Sequence, residues 1–174
     1  HIYTEYKFVH LDRINLEIAL NKLIERHLAL RTVFVGGMQQ YLSNYNKYEV
    51  TYHELQSEEQ LLLLRNKLSH KIYNLEQFPL FDFIVSKCNF SNRNSYYILH
   101  VGLDALLMDA SSIGIFFNEL GQLYSNPQVL LPELRVSYRD YLSQVQQIRK
   151  SIYFEKCREY WLQKLSDYTL EMNL

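Results

Sequence analysis

With 174 residues, 48% hydrophobic and 21% charged, the chain can bury roughly two-thirds of the surface its unfolded form exposes, which excludes a disordered polyelectrolyte. A formal net charge of -1, with Lys and Arg scattered rather than blocked, gathers no phosphate backbone and excludes nucleic acid as a partner. No apolar stretch reaches the ~20 residues of a membrane-spanning helix, so residues 1–174 are expected to form one cytoplasmic globular domain with no membrane partner.

Residues 1–10 alternate polar and aromatic side chains (Tyr3, Tyr6, Phe8), the period of a half-buried strand, and the chain enters this run at once, as a fragment would. Asp12 then precedes Leu16, Ala19, Leu20, Leu23 and Ile24, whose three- and four-residue spacing predicts a capped helix ending near His27. Residues 31–35 and 39–42 flank Gly36-Gly37 and predict a hairpin. A strand over 48–55 follows. Ser57 with Glu58, Glu59 and Gln60 opens a second helix, expected to run to about Tyr73.

Residues 81–88 and 95–102 predict an apolar strand pair joined by a polar turn over 89–94. From Asp109 the apolar positions Ile113, Phe116, Phe117, Leu120, Leu123 and Tyr124 take helical spacing up to Asn126-Pro127, where the proline forbids continuation. A connector over 130–136 leads to two amphipathic helices, 138–150 and 153–165. The sum is an α/β domain in which helices cover a mixed, largely antiparallel sheet. Cys88 and Cys157 have no partner spacing and read as free thiols.

Residues 100–112, HVGLDALLMDASS, place two carboxylates where a buried strand ends and a helix begins. Asp104 and Asp109 bracket Ala105, Leu106, Leu107 and Met108, so at least one acid is expected to sit in an apolar setting with a fixed partner. The structural reading of Asp109 is a helix N-cap, with Ser111 and Ser112 in the first turn. His100 on an apolar strand reads as a hydrogen-bonded core histidine. No cluster has metal-ligand spacing, and the 15 tyrosines are dispersed without a basic stripe, so they read as packing. Trp161, beside Tyr160, is expected to pack the last helix against the sheet.

The pattern Asp104-x4-Asp109-x2-Ser112 resembles the signature of heterocyclization domains of nonribosomal peptide synthetases, where it replaces the H-H-x-x-x-D-G motif of ordinary condensation domains. In that register Ala105 stands where the catalytic histidine would be and Ala110 where the glycine would be. Residues 26–34, RHLALRTVF, resemble the family's R-H-x-x-L-R-T-x-F segment, and Pro79-Leu80-Phe81 and Tyr160-Trp161 resemble later landmarks in order.

The resemblance implies a chloramphenicol-acetyltransferase-like fold of two lobes around a tunnel. This chain would supply most of the amino-terminal lobe, and the carboxy-terminal lobe would be a partner. It further implies Asp104, Asp109 and Ser112 as site residues, Asp109 held in a structural ion pair with Arg26 or, as the second choice, Arg31. The substrates would ride on the phosphopantetheine of upstream and downstream peptidyl carrier proteins, with no metal and no bound cofactor. The implied reaction joins an acyl thioester to carrier-bound Cys, Ser or Thr and cyclodehydrates the product to thiazoline or oxazoline. Two rivals are a condensation-like platform that only docks carriers, and an acyltransferase of the chloramphenicol acetyltransferase type, which the missing histidine disfavours.

Overall fold

The computed structural model describes residues 1–90 and 95–166, so most of the turn expected over 89–94 lies outside the described residues. The chain forms two compact units, His1–Leu130 and Leu131–Leu174.

In the first unit, strand β1 (Ile2–Phe8) leads to helix α1 (Arg13–Arg26), a 3-10 turn (Leu28–Arg31), strands β2 (Thr32–Val35), β3 (Met38–Tyr41) and β4 (Thr51–Leu55), and helix α2 (Glu58–Ser69). Strands β5 (Phe81–Cys88) and β6 (Tyr96–Leu103) then precede helix α3 (Ala110–Ser125). Four strands form one sheet in the order β1-β6-β5-β4, antiparallel except for the parallel pair of β4 and β5, and β2 with β3 forms a separate hairpin. The mixed sheet and helical cover match the expectation.

Local chemistry explains the boundaries. The Asp12 carboxylate accepts from the backbone N–H groups of Ile14 (2.8 Å) and Asn15 (3.1 Å), capping α1, whose residues Leu16, Ala19, Leu20, Leu23 and Ile24 are all buried. The hairpin turns through Gly36 and Gly37 with φ of 58° and 76°, a pair that side-chain-bearing residues resist. Helix α2 stops at Ser69 rather than near Tyr73. Lys71 and Tyr73 instead leave the helical path and converge on Asp82 of β5, at 2.6 and 2.9 Å.

The two central strands are covered on both faces. On one face Phe83 meets Phe116 of α3 with ring centroids 5.6 Å apart. On the other, Leu55, Leu61 of α2, Cys88 and Ile98 form a buried cluster. Alternation along the strands separates these sets, since Phe83 and Cys88 are an odd number of residues apart.

The second unit holds α4 (Tyr138–Arg149) and α5 (Ile152–Leu165). Ser137 and Asp140 form a reciprocal capping box at the start of α4, and Ser151 caps α5. Tyr160 and Trp161 lie edge to face with ring centroids 5.4 Å apart. Both cysteines are free, Cys88 buried and Cys157 exposed.

Candidate functional site

Strand β6 delivers the candidate site. Its last residue, Leu103, is buried and pairs with Phe81, and the next backbone N–H, that of Asp104, donates to Leu80 O at 3.0 Å. The chain then turns. Asp104 Oδ1 accepts from Leu106 N at 2.9 Å and Asp104 O from Leu107 N at 3.1 Å, so the carboxylate is oriented by its own loop. Asp104 is half-buried, Leu106 is exposed and Leu107 is buried, which makes Leu107 the anchor of the turn.

Asp109 ends the loop as the N-cap of α3, its Oδ1 accepting from Ser112 N at 2.8 Å. The Ser112 backbone N–H, with the Ser112 hydroxyl next, holds the Asp109 carboxyl below its usual range. Asp109 and Ser112 are therefore brought together. Asp109 is exposed, contrary to an apolar setting, because its loop lies on the surface and its compensation comes from the open N-terminus of a helix.

The ion pair expected between Arg26 and Asp109 is not formed, and this is the main correction to the sequence reading. Arg26 meets Glu119 instead, through Nε to Oε2 at 3.1 Å and Nη2 to Oε1 at 3.2 Å, and His27 Nε2 lies 2.6 Å from Glu119 Oε2. Glu119 stands ten residues after Asp109 on α3, about 15 Å along the helix axis, so one guanidinium cannot serve both. The second choice also fails: Arg31 donates to Leu42 O (3.2 Å) and Glu25 O (3.4 Å) and lies over the Tyr45 ring.

Burial alone would raise the Glu119 carboxyl, but the hydrogen bonds from Arg26 and His27 outweigh it and hold the group below its ordinary value. Sequence reading missed Glu119 because a lone acid on the apolar stripe of α3 has no local mark. The signal that could have found it is its helical phase, three residues after Phe116 and four before Leu123.

A second polar cluster lies under β6. His100, fully buried, has Nδ1 2.8 Å from Tyr3 Oη and Nε2 2.9 Å from Ser86 Oγ. Tyr3 donates to Glu5 at 2.6 Å, and Glu5 is gripped by Arg65 of α2 at 2.7 to 3.0 Å. Desolvation lowers the His100 pKa, against the opposing pull of Glu5. This is the core histidine the sequence suggested. Among the described residues no group of three His, Cys, Asp or Glu side chains could hold a metal, and no helix is long and apolar enough to cross a membrane.

The α/β unit, with an acid capping the helix that follows β6, has the architecture of a known family. Residues 5–174 match the condensation domain family, and the chain belongs to it. Bacitracin synthase 1 of Bacillus licheniformis is 33% identical over 165 residues, 91% of this chain, and pyochelin synthetase PchF of Pseudomonas aeruginosa is 28% identical over 172 residues, 94% of it. The cyclization-docking bidomain of EpoB from Sorangium cellulosum superposes with a TM-score of 0.84 at 26% identity, over 96% of this chain. The chain spans 3% and 9% of the two synthetases and 34% of the bidomain.

Proposed function

We propose that the chain is the larger part of the amino-terminal lobe of a heterocyclization-type condensation domain in a nonribosomal peptide synthetase. The observation that carries the reading is Asp104-x4-Asp109-x2-Ser112 at the exit of β6, with Ala105 in place of the histidine of ordinary condensation domains. Likeness to a cyclization domain supports it.

On this reading the amine of carrier-bound Cys, Ser or Thr attacks the upstream acyl thioester and releases the upstream thiol. The side-chain thiol or hydroxyl then adds to the new amide carbonyl and closes the ring, and loss of one water from that adduct forms the C=N bond of thiazoline or oxazoline. The first step needs mainly orientation, which a lobe wall supplies by holding both phosphopantetheine arms in line. The second needs a proton donor and acceptor near the departing oxygen. Asp104, half-buried and with only Oδ1 engaged by its loop, is this chain's candidate, and a carboxy-terminal lobe would complete the site. Asp109 and Ser112 fix the other end of the loop.

A non-catalytic platform for docking carrier proteins is the second reading. It draws on the fact that both acids already serve as acceptors for nearby backbone N–H groups, work a scaffold would also require. Intact-protein mass spectrometry separates the two. The full-length synthetase is given an acyl-loaded upstream carrier and a Cys-loaded downstream carrier, and a condensed product lighter by one water is expected. Condensed product that retains the water indicates condensation alone, and absence of transfer favours the platform.

A further inference from the structure

Helix α2 ends early so that the chain can turn back and lay Tyr73 across the end of β6. Tyr73 is buried, and its hydroxyl donates to Asp82 Oδ2 at 2.9 Å, the same oxygen that Lys71 Nζ reaches at 2.6 Å. Asp82 pairs directly with Gly102 in the β5–β6 register. A Cβ placed on Gly102 would come within 2.5 Å of the Tyr73 hydroxyl, so β6 is bare at the one position where this side chain crosses it. Two register steps further on, past Phe81 and Leu103, Leu80 O accepts from Asp104 N at 3.0 Å.

We infer that Tyr73 is a positioning residue for Asp104: its hydroxyl, seated on Gly102 and bonded to Asp82, clasps the end of β6 to β5 and sets where the Asp104 carboxylate leaves the sheet. The inference rests on the functional reading above. Three observations bear on it together: the ordered route of residues 70–80 onto Asp82, the missing side chain at position 102, and the main-chain bond that fixes Asp104 beside them. The hydroxyl stays a donor. Burial first, then the Asp82 carboxylate and the hydrogen bond to it, raise its pKa far above the usual tyrosine value, and the charge of Asp104 pushes the same way.

Lys71 Nζ, on the same Asp82 oxygen, holds that carboxylate in place and so supports the clasp. A tyrosine that merely filled the core would not require a glycine opposite its hydroxyl. Phenylalanine in its place would keep the ring, lose the bond to Asp82 and leave the end of β6 free to shift. Displacement of a reacting group by about 1 Å costs on the order of 100-fold in rate. A partial shift is expected here.

The test uses the full-length synthetase with loaded carriers, comparing wild type, Tyr73→Phe, Gly102→Ala and Asp104→Ala by intact-protein mass spectrometry. Tyr73→Phe is expected to slow formation of the dehydrated product about 10-fold at saturating carrier while leaving the apparent KM for either carrier within about twofold. Gly102→Ala, which pushes the hydroxyl aside and keeps the phenol, is expected to do the same, so the inference survives a folding failure of either variant. Hydrogen exchange over residues 100–108 is expected to quicken in both. If Asp104→Ala is impaired and both Tyr73→Phe and Gly102→Ala turn over within twofold of wild type, the positioning role is overturned and the functional reading stands. If wild type itself makes no dehydrated product, or Asp104→Ala is unimpaired, the functional assignment of Asp104 falls and takes this inference with it.

Discussion

Removing the Glu119 carboxylate should be among the most costly single polar changes in the first unit. Its side chain is 11% exposed and sits between Arg26 at 17% and His27 at 22%. Glu119→Ala removes the carboxylate that Arg26 and His27 share, and breaking a buried pair costs about 3–5 kcal/mol. Residual solvent at Arg26 puts this case near the lower end, about 3 kcal/mol, which for a chain of this size lowers the melting temperature by about 6–12 °C. The assay is a set of thermal melts on Arg26→Ala, Glu119→Ala, Asp109→Ala and the two doubles that contain Arg26→Ala. Arg26 and Glu119 should show strong coupling, and Arg26 with Asp109 should be additive within error. Coupling between Arg26 and Asp109 in place of Glu119 would refute the reasoning and restore the pairing that the family pattern suggests.

Phe83→Ala removes a fully buried ring from contact with Phe81 and Phe116 and should cost about 3–5 kcal/mol, read from urea unfolding midpoints. Stability should fall as pH drops below about 6.5, because burial lowers the folded pKa of His100, so the unfolded chain takes up a proton that the folded chain refuses; melts from pH 8 to 5 should show this slope, and His100→Gln should flatten it. The carboxyls of Glu5 and Glu119, both held below their ordinary values, should add a second loss below about pH 4.5. In the native protein a thiol reagent should label Cys157 quickly and Cys88 only on unfolding, since Cys88 is buried and desolvation raises its pKa; rapid double labelling would show that the sheet face under α2 is open.

The elements were legible because they carry local chemistry. Asp12, Ser57 and Asp109 mark three helix starts by side chains that accept from the first turn, and Gly36-Gly37 marks the hairpin by the backbone it permits. The end of α2 was not legible, since Ile72 stands four residues after Leu68 and continues a plausible helical spacing. What ends the helix is Asp82, eleven residues beyond Lys71 and on another element. The ion pair failed in the same way. Arg26 and Asp109 were joined through a pattern, whereas Glu119, brought opposite Arg26 and His27 by the packing of α1 on α3, is the acid within reach. The loop from Asp104 to Asp109 was placed correctly at a strand–helix junction, yet its exposure could not be read from its apolar letters, because only Leu107 turns inward.

Helix α3 is clasped along its C-terminal half. Glu119 holds Arg26 and His27, Tyr124 Oη accepts from Asp12 N at 2.8 Å, and Lys22 Nζ donates to Pro127 O just beyond the end of the helix. Its other end carries Asp109 and rests on the sheet through Phe116. Mechanically the helix is a beam held by α1 and, at Phe116, by the sheet, with an arm of about 10 Å from Phe116 to Asp109, so one degree of rotation there moves the loop's far end by about 0.2 Å. Asp104, bonded through its own backbone to Leu80, does not ride on that beam. A small rocking of α1 against the sheet would thus change the gap between the two acids while leaving each of them locally intact.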